Sequence, residues 1–262
     1  MLHLFSGPAA RLDGLSNFLR GFGLGADDVD HVNTELPDQD LADNLCYGKW
    51  LARVKAGEYD FVFLGTPCET FSHARHNPPG PRPLRSAAHP WGLPSKMLSP
   101  SEREELRLGN LFAARTLEIC WASLRADVGF AVENPAPWPN CESLFVLPEM
   151  VELIEELRRR RGGDPWVDFD QCEYGAAATK PTRLLYFGPD FSGLAATCSH
   201  PRREFFDDRG RPYRARHERT VRRQNAAGNF DNHTKALGAY PALLNRALAA
   251  TISRWVLSRG TG

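Results

Sequence analysis

The sequence lacks several things whose absence narrows its function. No run of apolar residues approaches the roughly 20 that a membrane helix needs, so a helical membrane protein is not expected. The six cysteines, at positions 46, 68, 120, 141, 172 and 198, form no C-x-x-C pair. That scatter argues against a disulfide framework and against a metal centre, and it fits the reducing cytoplasm. Cys198 and His200 are two candidate ligands, too few for a metal site. No basic flank and apolar core of a secretory leader is read at the start, where the chain opens with strand-forming residues. Net charge is missing too, since 32 Lys and Arg balance 32 Asp and Glu.

That balance hides an uneven distribution. From Cys198 to Lys235, nine Arg and one Lys face five acidic residues, an excess of five, so the remainder carries a deficit of five. A basic segment beside an acidic body is the pattern of a protein that meets phosphates with one part only. The plain alternative is a solvated, Arg-rich loop. With 262 residues, 42% apolar and 24% charged, the chain can bury one large core and carry a small appendage.

Apolar and β-branched runs predict strands over 2–5, 30–36, 59–64, 128–132, 166–169 and 183–187. Helical spacing and end signals predict helices over 12–21, 41–55, about 99–124, 149–161 and 240–257. Leu41, Leu45, Leu51 and Val54 are the core candidates of the second helix. Leu108, Leu111, Phe112, Ile119 and Trp121 are those of the third, which Ser99-Pro100-Ser101-Glu102 opens as a capping box. Between them, residues 73–98 hold His73, Arg75, His76, Arg82, Arg85 and His89 among many prolines and glycines, which reads as a lid or binding loop. Strand, loop, helix and strand from 59 to 132 make a βαβ crossover and hence parallel neighbours. The alternation as a whole predicts an α/β, doubly wound, mostly parallel sheet.

Chemistry gathers at the carboxyl ends of strands in such sheets, and three strand ends stand out. After Phe61-Val62-Phe63-Leu64 comes Gly65-Thr66-Pro67-Cys68-Glu69-Thr70-Phe71-Ser72, which puts a cysteine where it can react. A small buried hydrophobe is the plain alternative for Cys68. The start, Met1-Leu2-His3-Leu4-Phe5-Ser6-Gly7, is a strand followed by a glycine turn. Ala131-Val132-Glu133-Asn134-Pro135 is a strand with a carboxylate at its end.

Strand–Gly, strand–Pro-Cys and strand–Glu-Asn, in that order, resemble the cytosine-5 DNA methyltransferases. Pro67, Cys68, Phe71 and Ser72 match the family's Pro-Cys segment, with Thr66 where a second proline is usual. Glu133-Asn134 matches its Glu-Asn motif, with Pro135 where valine is usual. Gln171-Cys172-Glu173-Tyr174-Gly175, then Lys180-Pro181-Thr182-Arg183-Leu184-Leu185, resembles its Tyr-Gly and paired-arginine segment, with Pro181 in the first arginine's place and Arg183 in the second's. The resemblance covers about residues 1–187. Beyond them only a reduced closing motif, Tyr240-Pro241-Ala242-Leu243-Leu244-Asn245, remains. Asn77-Pro78-Pro79-Gly80 is similar to the amino-methyltransferase motif but lacks its aromatic residue, and is set aside.

The resemblance implies a Rossmann-like methyltransferase fold with a catalytic domain at 1–189, a small Arg-rich target-recognition region at 190–238 and a closing helix at 239–262. It implies S-adenosylmethionine as cofactor, held by Phe5, Ser6, Gly7 and Pro67, with Glu35 on the ribose and Asp43, or Asp40, on the adenine amine. It implies Cys68 as nucleophile, with Glu133 and Arg183 on the cytosine, and Ser72, Arg75, Asn134 and Lys180 toward the substrate. The partner it implies is DNA with the target cytosine flipped out, as in restriction–modification, bound by a monomeric cytoplasmic protein. Three other readings stay open. One is the same chemistry on a free nucleotide or RNA, or with a modified cofactor; the second is an inactive DNA-binding relative; the third is an α/β domain whose motifs are coincidence.

Overall fold

The structure is a computed structural model that describes residues 1–7, 11–31, 38–76, 81–206, 210–218, 222–224, 230–232 and 238–260, with only the backbone of 222–224 and 230–232. Its centre is a six-stranded sheet in the order β2-β1-β3-β4-β6-β5. These strands are β1 (Leu2–Leu4), β2 (Asp27–Val29), β3 (Phe61–Leu64), β4 (Gly129–Pro135), β5 (Trp166–Asp170) and β6 (Pro181–Phe187). β1 pairs in parallel with β2 and β3, and β3 with β4. β6 runs antiparallel to both β4 and β5, so it alone is reversed. The sheet is mostly parallel, as the βαβ pattern predicts.

Five helices cover both faces: α1 (Leu15–Gly21), α2 (Asn44–Lys55), α3 (Pro100–Arg125), α4 (Pro148–Arg161) and α5 (Ala242–Arg259). Strand residues alternate between the two faces. Val62, Leu64 and Val132 join Val54, Phe112, Leu117 and Leu153 on the α2–α3–α4 side. Phe61, Phe63 and Ala131 join Leu15, Leu19, Leu244, Leu248 and Ile252 on the α1–α5 side. A sheet apolar on both faces needs this double cover.

Local chemistry sets the element ends. The capping box of α3 is formed as the sequence predicts, Ser99 Oγ accepting from the Glu102 N–H and the Glu102 carboxylate from the Ser99 N–H. α2 begins at Asn44 because the Asp43 carboxylate accepts from the Cys46 N–H at 2.8 Å. Leu45, a core candidate, is 85% exposed there, while Tyr47 and Trp50 fill the buried stripe.

One strand lies elsewhere than predicted. β2 is Asp27–Val29 rather than 30–36, most of which lies outside the described residues. Two adjacent aspartates disfavour a strand, but each has partners here. Asp27 accepts from Tyr59 Oη at 2.7 Å and pairs with Arg53, and Asp28 takes the Ser16 hydroxyl and lies 3.2 Å from His3 Nδ1. Beyond the sheet, β7 (Arg203–Phe206) and β8 (Pro212–Ala215) form one antiparallel ribbon, and β9 (Arg222–Gln224) and β10 (Phe230–Asn232) another. No helix among the described residues is long and apolar enough to cross a membrane.

Candidate active site

The strand order reverses at β1: the chain moves from β1 to β2 on one side, then crosses to β3 on the other. Ligand crevices open at such a switch point, beyond the carboxyl ends of the strands. Phe5-Ser6-Gly7 leaves β1 there and Gly65-Thr66-Pro67-Cys68 leaves β3. They touch: the Gly65 N–H donates to the Leu4 carbonyl at 3.1 Å, and a Cβ on Gly65 would lie 3.1 Å from the Phe5 carbonyl oxygen.

The turn that carries Cys68 is fixed from below. Asn134 Nδ2 donates to the Thr66 carbonyl at 2.8 Å, and the Thr66 hydroxyl bonds that of Thr116 on α3 at 2.8 Å. Asn134 is fully buried, so its place is in the support of the turn. Pro67 stands between this anchored threonine and the half-buried Cys68. Burial, then the negative charges of Glu69 and Glu133, push the Cys68 thiol up to about 12, and Lys180 acts in the opposite direction.

Glu133 lies in β4 one residue beyond Val132, the last β4 residue in register with β3, opposite Leu64. The carboxylate is buried and has two partners. Tyr240 Oη donates to Oε2 at 2.8 Å, and Gln171 Nε2 donates to Oε1 at 3.3 Å. Gln171 also reaches the Thr182 hydroxyl at 3.0 Å, which accepts it and in turn donates to the Lys180 carbonyl. Burial and the Glu133 charge raise Tyr240 well above the ordinary phenol range, so it stays a donor. Its ring rests on Phe63, with Lys180 Nζ 5.4 Å from its centroid. Neither Tyr240 nor Gln171 is among the residues predicted for the site. The only signals were the Gln171–Gly175 segment and the reduced closing motif.

Arg183 lies elsewhere. β6 pairs Leu184 with Glu133 and Arg183 with Asn134, so Thr182 and Leu184 share the Glu133 face and Arg183 turns to the other. It forms a bidentate pair with Asp168, both bonds 2.7 Å, above the Trp166 ring. The structure therefore brings Cys68, Glu133 and Lys180 together and leaves Arg183 apart. Lys180, held at φ +43°, is the cation on the catalytic side.

In the turn after β1, Phe5 (φ +58°) and Gly7 (φ +66°) both adopt left-handed backbone conformations. Ser6 N–H donates to the Val29 carbonyl and Ser6 Oγ to the Gly7 carbonyl. Phe5, His31 and Phe112 form a cluster of edge-on rings 5.2 to 5.4 Å apart. Burial lowers the pKa of His31, and its buried Nδ1 has no protein partner. Asp30 supplies a carboxylate directly after β2. A tight turn, an aromatic face, an orphaned ring nitrogen and a carboxylate after the second strand fit a nucleoside cofactor. Glu35 lies outside the described residues. Asp43 is committed to capping α2, and Asp40 accepts from the Ala42 N–H.

The 73–98 loop is tied down more firmly than a lid rich in free cations would be. Arg75 is buried and donates to the Glu69 and Arg82 carbonyls and to Glu105. Arg85, 2% exposed, bonds Thr70 and the Pro90 carbonyl while lying 3.8 Å from the Phe71 ring centroid. Ser72 accepts from the Ala74 N–H. Arg75 thus builds the loop behind Cys68, and the Ser72 hydroxyl accepts from the next turn of that loop. Asn77-Pro78-Pro79-Gly80 lies outside the described residues.

An open groove of about 520 Å³ is lined by Lys180 and, on and beside the β7–β8 ribbon, by Arg202, Arg214, Arg216, His217 and Glu218. No protein-family model, curated protein or solved structure matches the chain.

Proposed function

We propose that the protein is a DNA cytosine-5 methyltransferase using S-adenosylmethionine. The observation that carries this reading is that Cys68, in the turn after β3, lies close enough to the buried, doubly bonded Glu133 of adjacent β4 to feel its charge. A thiol beside a fixed carboxylate suits addition to an electron-poor ring. Cys68 adds to carbon 6 of cytosine, and Glu133 meets ring nitrogen 3 and the exocyclic amine, where the displaced charge collects. The raised thiol, held up first by burial, keeps Cys68 protonated near neutrality, and positive charge entering the site favours its thiolate. Phe5, Ser6, Gly7, Asp30 and His31 would hold the cofactor, which supplies the methyl group. Loss of the carbon-5 proton and departure of the thiolate restore Cys68.

The basic groove beside Lys180 supports nucleic acid as the substrate, because it extends from the site along the Arg-bearing ribbon. A thiolate reaches the ring face only when the base has left the stack, so a flipped or unpaired cytosine is implied. Mass spectrometry of digested DNA from cells expressing the wild type and Cys68→Ala tests the reading. A 5-modified deoxycytidine seen only with the wild type supports it, and its mass identifies the group transferred. Unmodified DNA in both, with modified cytidine in RNA or the nucleotide pool, would move the chemistry to those substrates.

A further inference from the structure

We infer that Cys172, Cys198, His200 and His217 form a tetrahedral zinc site that staples the β7–β8 ribbon to the catalytic sheet. Their four ligand atoms lie within 4.8 Å of one another. Cys198 Sγ is 3.3 Å from His217 Nε2 and 3.7 Å from His200 Nδ1. Zinc bonded to sulfur at about 2.3 Å and to nitrogen at about 2.0 Å in a tetrahedron sets sulfur–nitrogen edges of about 3.5 Å, between those two values. Two thiolates and two imidazoles are a preferred donor set for structural zinc, and a closed set leaves no position for catalysis.

The ligands come from three separate stretches. Cys172 sits in the turn Gln171–Tyr174 after β5. Cys198 and His200 follow Ala196, which bridges to Phe169 on β5, and His217 follows β8. The Cys198 N–H is held by Asp170 at 2.7 Å and its carbonyl by Arg216. His200 Nδ1 is also 3.2 Å from Glu173 Oε1; a metal takes that lone pair and leaves Glu173 to Ser199, whose N–H it accepts at 2.7 Å.

The ribbon has a need for such a staple. No residue of β7 or β8 is buried, and Phe206 is 63% exposed. A two-stranded hairpin without a core is marginal in water, and small modules of this kind are commonly held by metal or disulfide. The spacing conceals the site, since the two cysteines lie far apart and Cys198-x-His200 matches no finger pattern.

The full chain, purified without chelator, should carry about one zinc per chain by inductively coupled plasma mass spectrometry. Cys198→Ser and His217→Ala should drop to background while Cys46→Ser keeps its metal. His217→Cys should retain about one equivalent, because thiolate replaces imidazole, which separates lost ligation from failed folding. Cobalt added to the chelator-stripped wild type should give thiolate charge-transfer absorption and tetrahedral d–d bands. Chelation should lower the melting temperature, and zinc should restore it. A wild type that binds neither zinc nor cobalt would overturn the inference. So would a free-thiol count in which Cys172 and Cys198 are found joined as a disulfide.

Discussion

Tyr240 Oη lies 2.8 Å from Glu133 Oε2, and the same hydroxyl would sit 2.9 Å from a Cβ placed on Gly65. One side chain thus orients the Glu133 carboxylate and packs on the turn that leads to Cys68. Tyr240→Phe removes a hydrogen bond to a charged group, worth about 1.5–3 kcal/mol where it is made. If the proposed reaction is right, single-turnover methylation should slow by about tenfold or more while S-adenosylmethionine affinity stays as in the wild type. An unchanged rate would show that Glu133 does not depend on Tyr240.

Gly65→Ala should disturb the same place from the other side. The added methyl meets Tyr240 Oη and the Phe5 carbonyl oxygen at distances that real Cβ atoms avoid. Overpacking of this kind costs about 1–3 kcal/mol, read as a lower midpoint in urea. Combining it with Tyr240→Phe should recover part of the loss, since only the Phe5 contact then remains, and a double-mutant cycle measures that coupling. Strict additivity would count against the shared wall.

The raised Cys68 thiol has a sign that can be tested without substrate. Alkylation by iodoacetamide follows the thiolate fraction, so wild-type Cys68 should react slowly at neutral pH and accelerate only toward about pH 12. Glu69→Gln and Glu133→Gln each remove a negative charge and should move the curve to lower pH. Lys180→Gln removes the opposing positive charge and should move it higher. A mass-resolved alkylation profile of the four proteins decides this. A profile centred near the ordinary thiol range in all of them would show that burial does not govern Cys68.

Arg183→Leu separates the two faces of β6. It breaks a partly exposed pair with Asp168, so its stability cost should be about 1 kcal/mol or less. Turnover should stay within about twofold of the wild type, because no reacting group lies on that face. Lys180→Ala, on the catalytic face, should instead weaken DNA binding and flatten its salt dependence. Loss of turnover in Arg183→Leu with normal stability would place that arginine on the substrate after all.

The parts of this architecture legible in the sequence are those governed by local patterns. The buried runs at Phe61–Leu64 and Gly129–Val132, the Ser99–Glu102 capping box and the carboxyl-end positions of Cys68 and Glu133 all follow from neighbours in the chain. β2 escaped because Asp27 and Asp28 are tolerated only through Tyr59, Arg53, Ser16 and His3, which arrive from elsewhere. The side on which Arg183 emerges depends on a one-residue register in β6, and a slip of one residue reverses every side chain. Arg75 and Arg85 read as free cations until the backbone carbonyls that absorb them are in place. Tyr240 and Gln171 reach Glu133 from chain separations of 107 and 38 residues, which no periodicity reports.

That long separation bears on when the protein can first act. During synthesis the strands bearing Cys68 and Glu133 leave the ribosome well ahead of the segment that carries Tyr240 and α5. Until α5 docks beside α1, the sheet lacks half the cover on one face and Glu133 has neither its phenol partner nor the wall over Gly65. Non-local closures of this kind form late. Cys68 and Glu133 would therefore take their places before Tyr240 arrives, and the surroundings of Glu133 would be complete only once α5 has docked.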